Sequence, residues 1–291
     1  MEKWTIQKLL GWITDYFGDK GVDSPRLSGE MLLSYVLGLQ RIELYVHFDQ
    51  VVSGDKLKVL HELVKRGGEH EPVAYLVGRT EFYSLEIKVN RDCLIPRPET
   101  ELLAERGIEF LRKRQGRQYV CDLCTGSGCV AVAVAKGVKD VGIIATDICD
   151  AALSVAADNV AHHEIGTVIK LLCGDLFAPV IEGLDETRFD LIISNPPYIS
   201  ASEYETLDKN VREYEPKKAL HAGEEGLDVY RRIIEGVDVH LKDDGALMLE
   251  IGYAQGKAIK DLLKGAGCFS EIIIEKDFQN NDRVVTAKKK I

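Results

Sequence analysis

Asn195-Pro196-Pro197-Tyr198 sets a side-chain amide, two residues without N–H donors and an aromatic ring in a row. The apolar run before it, 189–193, reads as a buried strand. Two consecutive prolines cannot continue a ladder, because each lacks an N–H and fixes φ. The strand therefore stops, and the backbone is stiffened where Asn195 and Tyr198 are presented. Ligands of open α/β sheets bind at such carboxyl ends. Asn195 Oδ1 and the Pro196 carbonyl can each accept one N–H of a planar amino group while Tyr198 covers its plane. A Pro-Pro pair alone reads as a rigid turn without chemistry. The Asn before it, the Tyr after it and the buried strand behind favour a cradle.

A second constellation begins at Asp122, Leu123, Cys124, Thr125, Gly126, Ser127 and Gly128, between a strand and a helix. Small residues there let the backbone approach a ligand while helix N–H groups face it. The spacing is not G-x-G-x-x-G, and Cys124 stands where a first glycine is expected, which disfavours a dinucleotide. Asp147 ends the next strand, about 20 residues on, where an acidic group takes ribose hydroxyls. Asp175, before Leu176, ends the third strand, within reach of a base. Any one of these aspartates could be a helix N-cap. Three at successive strand ends, beside a glycine loop, indicate a nucleoside-like ligand. Cys121 and Cys124 are formally C-x-x-C, but no second pair and no histidines stand at zinc-ligand spacing. With Cys121 in a strand, small buried hydrophobes are the favoured reading.

The elements that position these residues alternate. Strands are expected at 119–122, 142–147, 168–172, 189–194 and 246–251, with helices at 128–137, 150–163, 225–241 and 254–265. Such alternation implies a parallel sheet with helices on both faces. Residues 271–276 and 283–287 are too close for a crossover helix and should form an antiparallel hairpin at a sheet edge. Residues 1–72 read as a small helical domain. Trp4, Ile6, Leu9, Leu10, Ile13 and Phe17 form one stripe, and Leu27, Met31, Leu32, Tyr35 and Val36 another. Ser24 and Ser53 are read as N-caps, and Gly67-Gly68 as a stop. Residues 73–98 alternate with period 2 around Phe82 to Val89 and are assigned as a hairpin linker. A helix over 99–114, with Thr100 as a candidate cap, opens the catalytic domain, 99–291.

The chain has 291 residues, 45% hydrophobic and 29% charged, ordinary for a soluble protein of about two domains. No apolar run approaches the ~18 residues of a membrane span. The start at Met1-Glu2 has no apolar leader region, so a secretory signal is not expected and a cytoplasmic location follows. Net charge is −10, with 9 basic and 10 acidic groups in residues 1–70 and 28 against 37 beyond. So acidic a catalytic region is ill suited to gripping phosphate backbones and compatible with a cationic cofactor.

The chain resembles the HemK (PrmC) family of protein-(glutamine-N5) methyltransferases, over nearly its full length. The resemblance rests on Ala74-Tyr75-Leu76-Val77-Gly78 with Glu81-Phe82, on Leu94-Ile95-Pro96-Arg97-Pro98-Glu99-Thr100-Glu101, and on the glycine loop. It extends to Asn195-Pro196-Pro197-Tyr198, Gly226-Leu227-Asp228 with Tyr230-Arg231-Arg232, Leu249-Glu250-Ile251-Gly252 and Asp282-Arg283-Val284-Val285. The Pro-Arg-Pro-Glu-Thr run is more family-specific than the glycine loop, which many methyltransferases share. The resemblance implies a Rossmann-like class I fold dependent on S-adenosyl-L-methionine. It implies a seven-stranded sheet of order 3-2-1-4-5-7-6 and a helical N-terminal domain that helps recognise a peptide chain release factor.

It further implies that Thr125, Gly126 and Gly128 border the cofactor's methionine moiety, that Asp147 binds its ribose, and that Asp175 and Leu176 flank its adenine. Asp122, Cys124, Ser127, Asn195, Arg97, Pro98, Glu99 and Thr100 complete the expected cofactor set. Asn195, Pro196, Pro197 and Tyr198 would hold the glutamine of a Gly-Gly-Gln motif. Departures from the family pattern are Cys124, Ser84 and Gln279, each where glycine is usual. A release factor is the expected partner of a monomer, with no nucleic acid, membrane or metal. The rival readings are an adenine-N6 DNA or RNA methyltransferase, whose target also presents a planar amine, and a nucleoside sensor without turnover.

Overall fold

The computed structural model describes residues 3–181 and 188–291. Met1 and Glu2, weighed above for a leader, lie outside them. Among the described residues no helix is long and apolar enough to cross a membrane. The chain divides into two compact units: residues up to Arg79 with Asp208–Tyr214, and Thr80–Leu207 with Glu215–Ile291.

The first unit is helical: α1 (Ile6–Asp19), α2 (Pro25–Leu37), α3 (Arg41–Val46), α4 (Gly54–Gly68) and α5 (Val73–Val77). The α1 stripe is buried as its spacing predicts, from Ile6 to Phe17, and meets Leu32, Leu33, Leu60 and Val64. The α2 face differs from the expected one. Leu27 and Tyr35 are exposed, while Leu33, Gly29 and Glu30 are buried. Gly29 lets α1 approach closely, and Glu30 accepts hydrogen bonds from Arg26, Arg41 and Tyr45, so this helix buries a charge-paired side as well as an apolar one. Ser24 and Ser53 start helices without a side-chain cap bond; Ser24 is left-handed, and Pro25 supplies the pre-set first turn. α4 ends at Gly68, in keeping with a Gly67-Gly68 stop, and the pair also serves packing. A Cβ at Gly67 would lie 2.8 Å from Phe17 Cζ, and one at Gly68 2.6 Å from Tyr16 Cε1, so helix packing demands both glycines. Val73–Val77, in the expected linker, is helical, with Leu76 and Val77 in this core.

The second unit begins with the hairpin β1 (Arg79–Phe82) and β2 (Leu85–Lys88), joined by Tyr83 and Ser84. Both turn residues have positive φ, 52° and 58°, as a two-residue type I′ turn requires, so Ser84 adopts the glycine-like conformation. The Asn159 amide of α8 (Asp150–His162) pairs with both backbone groups of Lys88, at 2.7 and 3.0 Å. Then come α6 (Thr100–Arg112), β3 (Gln118–Leu123), α7 (Cys129–Gly137) and β4 (Val141–Asp147) before α8, and β5 (Ile169–Cys173), α9 (Ala178–Ile181) and β6 (Phe189–Ser194) after it. After the short helix α10 (Ala201–Tyr204), and α11 (Lys209–Tyr214), which belongs to the first unit, follow α12 (Asp228–His240), β7 (Leu241–Glu250), α13 (Gly256–Ala266), β8 (Phe269–Lys276) and β9 (Asp282–Lys289). The sheet order is β5-β4-β3-β6-β7-β9-β8, which is 3-2-1-4-5-7-6 counted from β3. The first five strands are parallel, and β9 runs antiparallel to both β7 and β8. The turn after β8 is tied by the Asp277 carboxylate to the amides of Gln279 and Asn281 and to Arg283; Asn280, not Gln279, takes the positive φ.

Helices α6, α7 and α8 pack in sequence, as do α12 and α13. Right-handed crossovers place these sets on opposite faces, because strand order runs one way from β3 to β5 and the other from β6 to β7. The reversal lies between β3 and β6, the crevice where open α/β sheets bind ligands. Beneath it Cys121, Leu123, Ile192 and Leu247 join Tyr230 and Ile233 of α12 and Ile259 of α13 in one core.

Candidate active site

Sheet register brings the chemical residues into one row. Leu123 is paired with Thr146 and with Ser194, and Ser194 with Leu249. The next residues along the four strands are therefore Cys124, Asp147, Asn195 and Glu250, all on the carboxyl rim. Ser194 Oγ donates to the Leu123 carbonyl at 2.6 Å, locking the two middle strand ends together.

On the β3–β4 side the main chain does most of the shaping. Cys124, Gly126 and Gly128 have φ of 58°, 56° and 79°, so the loop passes through three left-handed residues before α7. Cys124 is the non-glycine among them, and a cost of order 1 kcal/mol accompanies that conformation. Gly128 also faces Ala156, 3.2 Å from where a Cβ would sit. Asp147 fixes the loop from the next strand. One oxygen accepts from the Gly126 N–H at 2.8 Å, and the other from the Cys149 N–H at 2.9 Å. A carboxylate has about four acceptor directions, so this leaves Asp147 capacity for ligand hydroxyls. Burial raises its pKa, opposed by these amides. Asp122 accepts the Thr125 hydroxyl at 2.5 Å, and burial pushes its carboxyl up to about 7 against that hydrogen bond. Asp175 is paired with Arg232 of α12 at 2.5 Å.

On the β6–β7 side a chain of side chains does the work. Asn195 Nδ2 donates to Thr100 Oγ1 at 3.1 Å, and Thr100 donates to Glu250 Oε2 at 2.6 Å. The Tyr198 hydroxyl donates to Glu250 Oε1 at 3.2 Å. Thr100 is thus not the cap of α6: Glu99 holds that position without a side-chain bond, and Thr100 faces inward. Glu250 is 1% exposed, and burial lifts its carboxyl to about 6, opposed by Thr100, Arg283 and Tyr198. Burial beside Glu250 raises the Tyr198 phenol, so it stays a donor at neutral pH. The Tyr198 N–H pairs with the Leu220 carbonyl at 3.1 Å, and its own carbonyl accepts from Gln255 at 3.0 Å, so the backbone after the prolines is anchored on both sides.

Both sides open onto one cavity of about 440 Å³, within the range of small-molecule sites. Asp122, Cys124, Thr125, Gly126, Ser127, Asp147, Asp175, Leu176, Thr100, Asn195 and Pro197 line it together. A smaller recess beside it is lined by Arg97, Asn195, Tyr198 and Glu250. Gly128, Pro196, Pro98 and Glu99 lie outside both linings. Arg97 pairs with the buried Glu215 at 2.5 Å, and Glu215 also accepts from the Ile95 N–H. That pair holds the Pro-Arg-Pro run against the Pro216–Ala219 stretch that lines the cavity. Cys121 is buried in β3, while Cys124 and Cys149 line the cavity, so the cysteines are not uniformly core residues.

S-adenosylmethionine suits this donor set. A carboxylate with spare acceptor capacity, Asp147, stands at the end of β4, glycines leave room beside a helix start, and Leu176 and Ile148 offer apolar surface. Sequence reading assigns no role to Glu250 or Arg232, which enter it only within the motif segments above, and none to Glu215. For Glu250 a signal existed: an acidic residue ends an apolar run just as Asp147 and Asp122 do.

A family profile described as the PrmC N-terminal domain matches residues 8–78, and one described as the methyltransferase small domain matches residues 100–213. A release factor glutamine methyltransferase of Rhodopirellula baltica is 41% identical over 290 residues, covering 98% of this chain and 97% of its own. Its counterpart in Geobacter sulfurreducens is 39% identical over 284 residues, covering 98% and 96%. Among solved structures, the T. Thermophilus 16S rRNA N2 G1207 methyltransferase in complex with AdoMet and guanosine aligns with a TM-score of 0.51 at 18% identity. It covers 73% of this chain and 50% of that one, and bears on the fold alone.

Proposed function

The chain belongs to the family of release factor glutamine methyltransferases, and we propose on that premise how its residues carry the reaction. It is an S-adenosylmethionine-dependent enzyme that methylates the side-chain amide nitrogen of a release-factor glutamine, the one in the Gly-Gly-Gln motif. The observation that carries the assignment of roles is that Asn195 and Asp147 line one cavity. Asp147 takes the ribose hydroxyls, Thr125 and Gly126 border the methionine portion, and Leu176 with Asp175 flanks the adenine.

Bound S-adenosylmethionine supplies an electrophilic methyl group on a sulfonium, whose sulfur keeps the C–S bonding pair when the new N–C bond forms. An amide nitrogen is a poor nucleophile, because its lone pair is delocalised into the carbonyl. Alignment is therefore the main task of the site. Asn195, on the cavity wall, accepts one N–H of the glutamine through Oδ1 and aims its nitrogen at the methyl carbon. The Pro196 carbonyl, the next acceptor along the chain though behind that wall, is assigned the other. Near-attack positioning can contribute ~7–11 kcal/mol. Both acceptors also stabilise positive charge growing on nitrogen, and one of its protons is released to solvent water after transfer, as the neutral methylamide leaves. The Tyr198 ring adds a cation–π contribution of about 1–2 kcal/mol once water is excluded. The helical unit assists recognition of the release factor. We further assign the enzyme to the cytoplasm as a monomer that does not take nucleic acid, a reading supported by the acidic charge balance of residues 71–291.

Replacing Asn195 by Ala tests the assignment. Turnover is expected to fall about 10³-fold, as for loss of an electrostatic partner at a reacting centre. Cofactor affinity measured by calorimetry should change far less than turnover, because the ribose and the methionine portion are held chiefly from the β3–β4 side. Near-normal turnover would contradict this use of Asn195.

A further inference from the structure

An asparagine amide has two faces of opposite polarity, and only one of them can accept the glutamine N–H. Something must choose between them. In this chain Asn195 Nδ2 donates to Thr100 Oγ1 at 3.1 Å, and Thr100 donates its single hydroxyl proton to Glu250 at 2.6 Å. A carboxylate accepts and cannot donate. Glu250 therefore claims the Thr100 proton, the Thr100 oxygen can only accept from Asn195, and the asparagine nitrogen is held inward.

We propose that Thr100 and Glu250 are positioning residues that impose a donor-to-acceptor direction on Asn195, leaving its Oδ1 as the face turned to the glutamine nitrogen. This rests on the role proposed for Asn195 above. The relay is buried: Thr100 is 2% exposed and Glu250 1%, so water does not compete for the hydroxyl. It is also braced. Tyr198 donates to the other Glu250 oxygen, and Tyr230 of α12 donates to the Glu250 backbone carbonyl at 2.8 Å. One carboxylate thus sets both the amide and the ring of the cradle.

Ionisation of Glu250 is what gives the relay its direction. Protonated Glu250 could itself donate to Thr100, whose proton could then turn to Asn195 Oδ1 and reverse the amide. The charged and titratable groups facing Glu250 are Tyr198 after β6, Tyr230 on α12, Arg283 on β9, and Glu99 at the start of α6, with Arg97 beside Tyr198. Arg283 favours the ionised form, while burial and Glu99 oppose it.

The test compares wild type, Thr100→Val, Thr100→Ser and Glu250→Gln with an unmodified release factor, recording kcat, KM, cofactor affinity by calorimetry and the pH profile of kcat. Thr100→Val keeps the side-chain shape and loses the hydroxyl; kcat should fall about 100-fold with cofactor affinity within about twofold, the size expected for an orienting partner. Thr100→Ser restores the hydroxyl and should recover kcat to within about threefold of wild type. Wild-type kcat should decline as pH drops through about 6, and Glu250→Gln should abolish that acid limb. Thr100→Val with wild-type kcat, Thr100→Ser as damaged as Thr100→Val, or an acid limb surviving in Glu250→Gln would each overturn the relay. If Thr100→Val does not fold, the serine variant and the pH profile still decide. Wild type inactive on the release factor would instead remove the functional reading itself.

Discussion

The two sides of the cavity are built by different means. On the β3–β4 side the polypeptide main chain makes the shape, through left-handed residues at Cys124, Gly126 and Gly128 that Asp147 ties down through the Gly126 N–H, its other oxygen being held by the Cys149 N–H. On the β6–β7 side a sequence of side chains does so, from Asn195 through Thr100 to Glu250 and back to Tyr198. The first kind of construction tolerates varied chemistry, because amides and glycines present a surface without choosing a reaction. The second kind commits the site, because each donor and acceptor has a direction. A scaffold shared with methyltransferases of other substrates can keep the first side and change the second.

Asp147→Ala should show the largest effect on the main-chain side. It removes the anchor of the loop together with the ribose acceptor, and cofactor affinity should weaken about 100-fold, with kcat at saturating cofactor changed far less. A fall in kcat alone, with affinity intact, would erase the division between the two sides. Next in size is the stability effect of Glu250. Its carboxyl rises from 4.5 to about 6 on burial, so the native chain binds more protons than the unfolded chain between those values. Stability should therefore fall as pH rises through that window, by on the order of 2 kcal/mol. Glu250→Gln should reduce the slope by that share, while Asp122, raised to about 7, keeps its own. The variant should be no less stable than wild type in a denaturant titration at neutral pH, although it impairs catalysis. A slope unchanged in the variant would place its origin elsewhere. Smallest is Cys124→Val, which forces a β-branched residue into the left-handed region and should cost about 1–2 kcal/mol by thermal unfolding. A variant as stable as wild type would mean that the loop is not held in that conformation.

Legibility followed the same division. The parallel sheet, the terminal hairpin and the carboxyl-end aspartates could be read because alternation, short connections and small residues are local signals, whereas the strand order came from the family resemblance. The Asn195-Pro196-Pro197-Tyr198 segment announced itself for the same reason. The partnership of Thr100 with Glu250 and Asn195 did not, since residues 100, 195 and 250 meet only after the sheet has formed. Their partnership is a product of register, which places Ser194 beside Leu249. The helical unit taught a similar lesson: Gly67-Gly68 is punctuation at the end of α4, but Phe17 and Tyr16 also occupy the space where their side chains would be, which spacing alone does not show. The α2 stripe went astray because Glu30 is buried by charge pairing that hydrophobic spacing cannot express.

The central claim is that this cavity serves a protein glutamine rather than a nucleobase. It is tested most directly by offering labelled S-adenosylmethionine with a release factor, with the same factor carrying a substituted Gly-Gly-Gln glutamine, and with DNA. The account predicts label on the intact release factor alone; label on DNA alone, or on the substituted factor as readily as on the intact one, would contradict it.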